Sequence, residues 1–353
     1  MSSPEAVTVH RLHAERPTPL VEVQRLTHLF RGQAQPAVAG VDLAVGETEV
    51  VAVVGESGCG KSTLGRIFAG YIQPTEGEIV FRARNVRRMG RRERKDYQRQ
   101  VQMVHQDPFA SLNPGLTLRT TLGYAPRYHG LVSRQGLDQF LLDLLASVGL
   151  DASREFLDRY PHQLSGGQRQ RVAIARAMSL QPSLIVADEA VSMLDVSMRV
   201  SLLDLMLGFQ EQQGVAYIFV SHDLGVVRYF ASEGRVVVMF YGVVVEVGAT
   251  EEVIANPRHP YTISLLSSLP VADPRRARSL RAERAPSDVL AGAPDPGAGA
   301  SDSGCVFRHR CPLARERCAE TPPLDRVRGG QRAACWFPDE AAELAGAMKG
   351  REA

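Results

Sequence analysis

Gly55-Glu56-Ser57-Gly58-Cys59-Gly60-Lys61-Ser62-Thr63 follows an apolar run, Val50 to Val54, and precedes a helical pattern beginning near Leu64. A strand, a glycine-rich turn and a helix in that order fit the G-x-x-x-x-G-K-[ST] pattern that cradles phosphate. The glycines let backbone N–H groups converge on phosphate oxygens, and the helix N-terminus behind them adds partial positive charge. Lys61 is one of only three lysines in the chain. In this setting its ammonium reaches the β- and γ-phosphates, while Ser62 places a hydroxyl on Mg²⁺. The stretch reads as nucleotide-binding. Cys59 lies inside it and leaves two readings open: a thiol activated by the helix N-terminus, or a small side chain where serine would also fit.

The 353 residues suit one large domain plus an appendage, or two modest domains, and an apolar fraction of 44% is ample for a core. A formal net charge of +2 is too small to argue for nucleic acid or an anionic membrane surface. Met1 to Pro19 is a polar leader without the apolar core of an export signal, and no run is long enough to span a bilayer. The expectation is a cytosolic chain whose five cysteines are reduced, catalytic or metal-bound rather than paired as disulfides.

Outward from the loop, Val21 to Phe30 alternates as a strand. Val41 to Val45, Glu49 to Val54, Gly77 to Phe81 and Val101 to His105 read as further strands. The basic run Arg87 to Lys95 lacks interleaved aromatics and reads as a solvated helix face. Leu137, Phe140, Leu141, Leu144, Leu145 and Val148 fall on one helical stripe, which predicts core packing. Leu164-Ser165-Gly166-Gly167-Gln168 opens a helix running to about Leu180. A serine hydroxyl with free N–H groups suits an anion there, although serine at such a place is also an ordinary cap. Ser183 to Ala187 is a buried-strand run ending in Asp188-Glu189, and Val215 to Val220 ends in Ser221-His222-Asp223. Polar groups at successive strand ends fit one phosphate chemistry, because ligands of open α/β sheets bind there. Val236 to Val245 predicts two buried strands around a turn at Gly242.

These motifs in this order resemble the ATP-binding subunit of an ABC transporter, over about Leu20 to Pro270. The most specific element is Leu164 to Gln168, which generic phosphate-loop ATPases lack. The resemblance implies an α/β phosphate-loop fold: a RecA-like core, an antiparallel β subdomain and a helical signature subdomain. It implies ATP and Mg²⁺ as ligands, with Gly55 to Thr63 on the phosphates and Phe30 stacked on adenine. Gln106 is then the residue joining magnesium to the helical subdomain, with Ser62 and Asp188 as its companions on the metal. Glu189 is the general base, His222 the switch histidine, and Asp195 part of the D-loop. Ser165, Gly166, Gly167 and Gln168 face the ATP of the opposite subunit, so the chain is expected to work as a dimer. Ala190 and Met193 depart from the family's usual proline and alanine, which bears on communication between subunits rather than on hydrolysis.

The segments Gln106 to Pro114 and Asn256-Pro-Arg-His-Pro-Tyr261-Thr, with the tail Gly304-Cys-Val-Phe-Arg-His-Arg-Cys311-Pro, look like the oligopeptide/dipeptide importer ATPases, whose nickel-importing relatives share much of this. That implies two transmembrane permease subunits, a second related ATPase as the other half of a heterodimer, and an extracytoplasmic substrate-binding protein. The location implied is the cytoplasmic face of the inner membrane, with no nucleic acid as partner. A soluble ABC ATPase acting on ribosomes or DNA is the rival class, against which stand the single cassette and the absence of heptads between Lys61 and Ser165. The segment from Phe109 to Pro114 is expected to present a docking surface, Leu112 included.

The domain reading is a leader over residues 1–19, an ATP-binding domain over 20–270, a Pro/Gly/Ala-rich linker over 271–304, and a cysteine-rich extension over 305–353 with a terminal helix near Glu340 to Met348. Cys305, Cys311, Cys318 and Cys335 offer four thiolates. They suit a [4Fe–4S] cluster or, without paired C-x-x-C knuckles, less well a zinc ion; cysteines that merely pack a small tail are the third reading.

Overall fold

A computed structural model describes residues 18–267 and 304–352. The leader up to residue 17 and the linker from 271 to 303 lie outside the described residues. In chain order the strands are β1 (Val21–His28), β2 (Val38–Val45), β3 (Val50–Val54), β4 (Glu76–Phe81), β5 (Arg84–Asn85), β6 (Val101–Val104), β7 (Leu184–Asp188), β8 (Ala216–Ser221), β9 (Arg235–Phe240), β10 (Val243–Ala249), β11 (Asp325–Arg328) and β12 (Gln331–Ala333).

The main sheet runs β11-β12-β10-β9-β3-β8-β7-β6. From β9 to β6 every pairing is parallel, and β10, β12 and β11 extend that edge antiparallel. Strands β3, β7 and β8 are buried along their whole length. That explains their unbroken apolar runs, since parallel strands are covered on both faces. The period of two sorts β3 between two cores. Ala52 and Val54 pack with Leu141, Leu145 and Val172 of the helical layer. Val51 and Val53 pack with Leu64, Ile67 and Phe68, and with Val21 and Val23 of the antiparallel sheet β2-β1-β4-β5.

The helix Leu137–Ser147 buries Leu141, Leu144 and Leu145 as its stripe predicts. The basic run becomes the charged helix Arg91–Gln100, whose buried residues are only Tyr97 and Gln100. The helical region expected after Pro114 opens with the helix Leu118–Tyr128, whereas the long helix Val196–Gln213 went unread in the sequence. The terminal helix is longer than expected, Pro338–Glu352. Among the described residues, no helix is long and apolar enough to cross a membrane.

Leu112 corrects an expectation. The segment after Gln106 folds into a single turn of helix, Pro108–Ser111, and Leu112 is 2% exposed inside the core cluster of the helical layer. It cannot present a docking surface.

Candidate nucleotide site

The turn from β3 into the helix Lys61–Phe68 is built on glycine at two points where nothing else fits. Gly60 holds a φ of +104°, and a Cβ there would fall 1.9 Å from the Ala37 carbonyl oxygen. At Gly55 (φ +151°) it would fall 2.2 Å from the carbonyl oxygen of Met239. The loop is therefore wedged against two neighbouring backbones, with Ser57 and Gly58 exposed at its mouth. Lys61 is buried, and its Nζ donates to the carbonyls of Gly55 and Glu56, each at 2.8 Å. The hydroxyl of Ser62 donates to Asp188 Oδ1 across 2.7 Å. That bond joins the start of the helix to the end of β7.

Glu189 follows with its N–H bonded to Val220 O at 3.0 Å. Its carboxylate is the meeting point of two distant loops. Oε2 accepts from Gln106 Nε2 at 3.1 Å, and Oε1 lies 3.3 Å from His222 Nδ1. Ser62, Gln106 and Asp188 line one cavity of about 660 Å³ between the sheet and the helical layer. Phe30, half-buried, stands edge-on to His28 at 4.6 Å, on the loop whose far end, Ala37, lies against Gly60.

The signature residues lie elsewhere. Ser165 caps the helix Gly166–Met178, its hydroxyl accepting from Gln168 N while Gln168 Oε1 accepts from Ser165 N. Ser165, Gly167 and Gln168 line a second cavity of about 420 Å³ with Arg171 and Met198. Gly166 stands exposed between them. Asp195 caps the helix Val196–Gln213, accepting from Met198 N at 2.9 Å. From this helix, Arg199 pairs with Asp223, beside His222, at 3.0 Å.

The structure decides between the two readings of Cys59. Its thiol is buried, and burial pushes its pKa up against the opposing pull of Lys61. It packs the loop as a small buried side chain.

The metal centre expected in the tail is not supported. Among the described residues, no group of three or more His, Cys, Asp or Glu side chains could hold a metal ion. Burial raises the Cys311 thiol to about 12 and the Cys335 thiol to about 11, with neighbouring cysteines adding to both shifts.

Three residues escaped the sequence reading. The N–H of Glu56 donates to Tyr261 Oη at 2.8 Å, and its carboxylate pairs with Arg310 at 3.1 Å. Glu246, within β10, is fully buried and accepts N–H bonds from Arg258 and His259, at 2.7 and 3.0 Å. It also accepts from Gln331 Nε2 of β12, at 2.5 Å. No local pattern announces these contacts; the Asn256 to Thr262 and Gly304 to Pro312 motifs were the only traces of them.

Residues 38–192 match the family described as ABC transporter, and residues 245–318 match the oligopeptide/dipeptide transporter C-terminal region. The chain is 45% identical over 289 residues to the oligopeptide transport ATP-binding protein AppF of Bacillus subtilis, covering 81% of this chain and 84% of that one. It is 42% identical over 310 residues to the dipeptide transport ATP-binding protein DppF of Haemophilus influenzae, covering 87% and 90%. Among solved structures, the ATP-binding cassette MJ0796 in a dimeric post-hydrolysis state bound to ADP and Pi superposes with a TM-score of 0.57. That match has 28% identity and covers 65% of this chain and 98% of the other. The cbiO1 subunit from Clostridium perfringens, part of the ABC transporter complex cbiONQ, gives 0.59 at 25% identity, covering 67% and 91%.

Proposed function

The chain belongs to the ATP-binding subunits of the oligopeptide/dipeptide ABC importers, and from that membership we propose how its residues divide the work of hydrolysis. The observation that carries the reading is the convergence of Gln106 and His222 on the two oxygens of the Glu189 carboxylate. Glu189 takes the proton of the attacking water, His222 holds the carboxylate's orientation, and Gln106 ties it to the helical layer. Gly55 to Thr63 bind the phosphates through backbone N–H groups, and Lys61 supplies the counter-charge once it exchanges its carbonyl partners for phosphate oxygens. Phe30 stacks on the adenine.

Ser62, Gln106 and Asp188 bring three oxygen-bearing side chains to one cavity, a donor set that suits a hard cation such as Mg²⁺. Magnesium, when bound with ATP, neutralises charge on the β- and γ-phosphate oxygens. The protein's own part is to hold Ser62 and Asp188 together at the strand end.

An ATPase subunit of an importer works with membrane permeases. We assign two permease subunits, a second related ATPase and an extracytoplasmic substrate-binding protein to the complete machine, at the cytoplasmic face of the inner membrane. Support for a second ATPase comes from the separation of the signature cavity from the phosphate loop within one chain. Ser165 to Gln168 then close on the opposite subunit's ATP, and Asp195 lies beside that contact. The names of the relatives favour peptide over nickel as cargo.

Glu189→Gln tests the assignment. The variant keeps every phosphate and metal ligand, so ATP affinity is expected to stay within about twofold while turnover falls by at least ~100-fold. Turnover near the wild-type rate would refute Glu189 as the base.

A further inference from the structure

Glu56 presents a chemical problem. It is a carboxylate inside a loop whose task is to receive the anionic phosphates of ATP. A free negative charge there opposes binding.

The fold answers with the tail. Arg310, 254 residues further along, donates to Glu56 through both nitrogens of its fork, Nη1 to Oε2 at 3.3 Å and Nη2 to Oε1 at 3.1 Å. The guanidinium is itself held in place. It lies 5.7 Å from the ring centre of Phe240 at the end of β9, and 5.5 Å from that of Phe307 in the tail, both nearly fully buried. Tyr261 joins the same aromatic group, 4.4 Å from Phe240 and 5.5 Å from Phe307. Its hydroxyl accepts the Glu56 N–H. Glu56 is thus fixed at its backbone by the Asn256 to Thr262 segment and at its carboxylate by the tail, while its carbonyl receives Lys61.

We propose that Arg310 is a positioning residue for ATP: it neutralises Glu56 and turns it from the phosphate path, so the docked C-terminal segment sets the affinity of the phosphate loop. The ligand concerned is a nucleoside triphosphate, and the proposal rests on Gly55 to Thr63 being its phosphate site. A tail that served only to cover the sheet edge would not need this arginine to face this carboxylate.

Charge neutralisation and mere docking make different predictions in a double-mutant cycle. The measurement is Mg·ATP affinity of the full chain by equilibrium titration. Glu56 is about a third exposed, so screening limits the expected loss in Arg310→Gln to roughly fivefold. In a Glu56→Gln background the same Arg310→Gln change is expected to cost less than about twofold, because no charge remains to be neutralised. Arg310→Lys restores most of the affinity, and it carries the test if the glutamine variant does not fold. An equal loss in both backgrounds, or no loss in either, overturns the proposal. Lys61→Ala in the same titration reports on the premise separately, and undiminished binding there overturns the proposal at its root.

Discussion

At Glu189 the backbone takes a φ of +49°, a left-handed conformation costing a non-glycine residue about 1 kcal/mol or more. The bond from its N–H to Val220 holds it there, and the outcome is a carboxylate aimed at Gln106 and His222 rather than back along β7. His259 shows the opposite design, a titratable group kept silent. It is 1% exposed, its Nδ1 accepts the Tyr261 N–H at 3.1 Å, and burial lowers its pKa from 6.5 to about 3. The unfolded chain takes up a proton below pH 6.5 that the folded chain refuses. The stability tied to this histidine is therefore complete above pH 6.5 and is lost as pH falls toward 3. Glu246 runs the other way. Burial first of all raises it from 4.5 to about 7, against hydrogen bonds that lower it, so its contribution is present below pH 4.5 and is lost as pH rises through 7. Comparing wild type with His259→Asn, which keeps an acceptor, isolates the histidine. Urea unfolding is expected to show the wild type losing roughly 3 kcal/mol relative to the variant between pH 7 and pH 4. Parallel pH curves would contradict the assignment.

Elements explain why some substitutions read as mechanism and others as collapse. The turn Pro108–Ser111 hands the chain from the site to the helical layer, and Leu112 is buried where it arrives. A carboxylate forced into that core costs about 3 kcal/mol or more. Leu112→Glu should therefore lower Tm by several degrees and lose ATP binding in proportion. A protein of normal Tm carrying that change would contradict this packing. Strands β3, β7 and β8 were legible in the sequence because burial on both faces leaves continuous apolar runs. Strands β11 and β12 were not, since Asp325–Arg328 and Gln331–Ala333 carry no alternation that could announce a strand. They exist because β10 offers an edge, and Gln331 reaches Glu246 across it. Glu246 lies just past the apolar run Val236 to Val245, yet inside β10, satisfied by groups from residues 258, 259 and 331. The phosphate loop, Asp188-Glu189 and His222 were legible because each sits at a strand end. Arg310 and Tyr261 reach the site only through contacts between segments far apart in the chain.

Across the whole molecule, the phosphate loop and the tail meet at one residue, Glu56. The tail adds two strands to the edge of the main sheet, packs Phe307 against Phe240 and Tyr261, and sets Arg310 on the phosphate loop. The signature helix faces another cavity, and the proposed dimer would give each chain half of two sites. The central claim is that hydrolysis at this site, with Glu189 as base, drives peptide import. Peptide uptake by vesicles reconstituted with the co-purifying permeases, with ATP on the side of this subunit, tests it most directly. ATP-dependent uptake with the wild-type chain and its loss with Glu189→Gln is the predicted result; uptake that continues undiminished with Glu189→Gln would contradict the account.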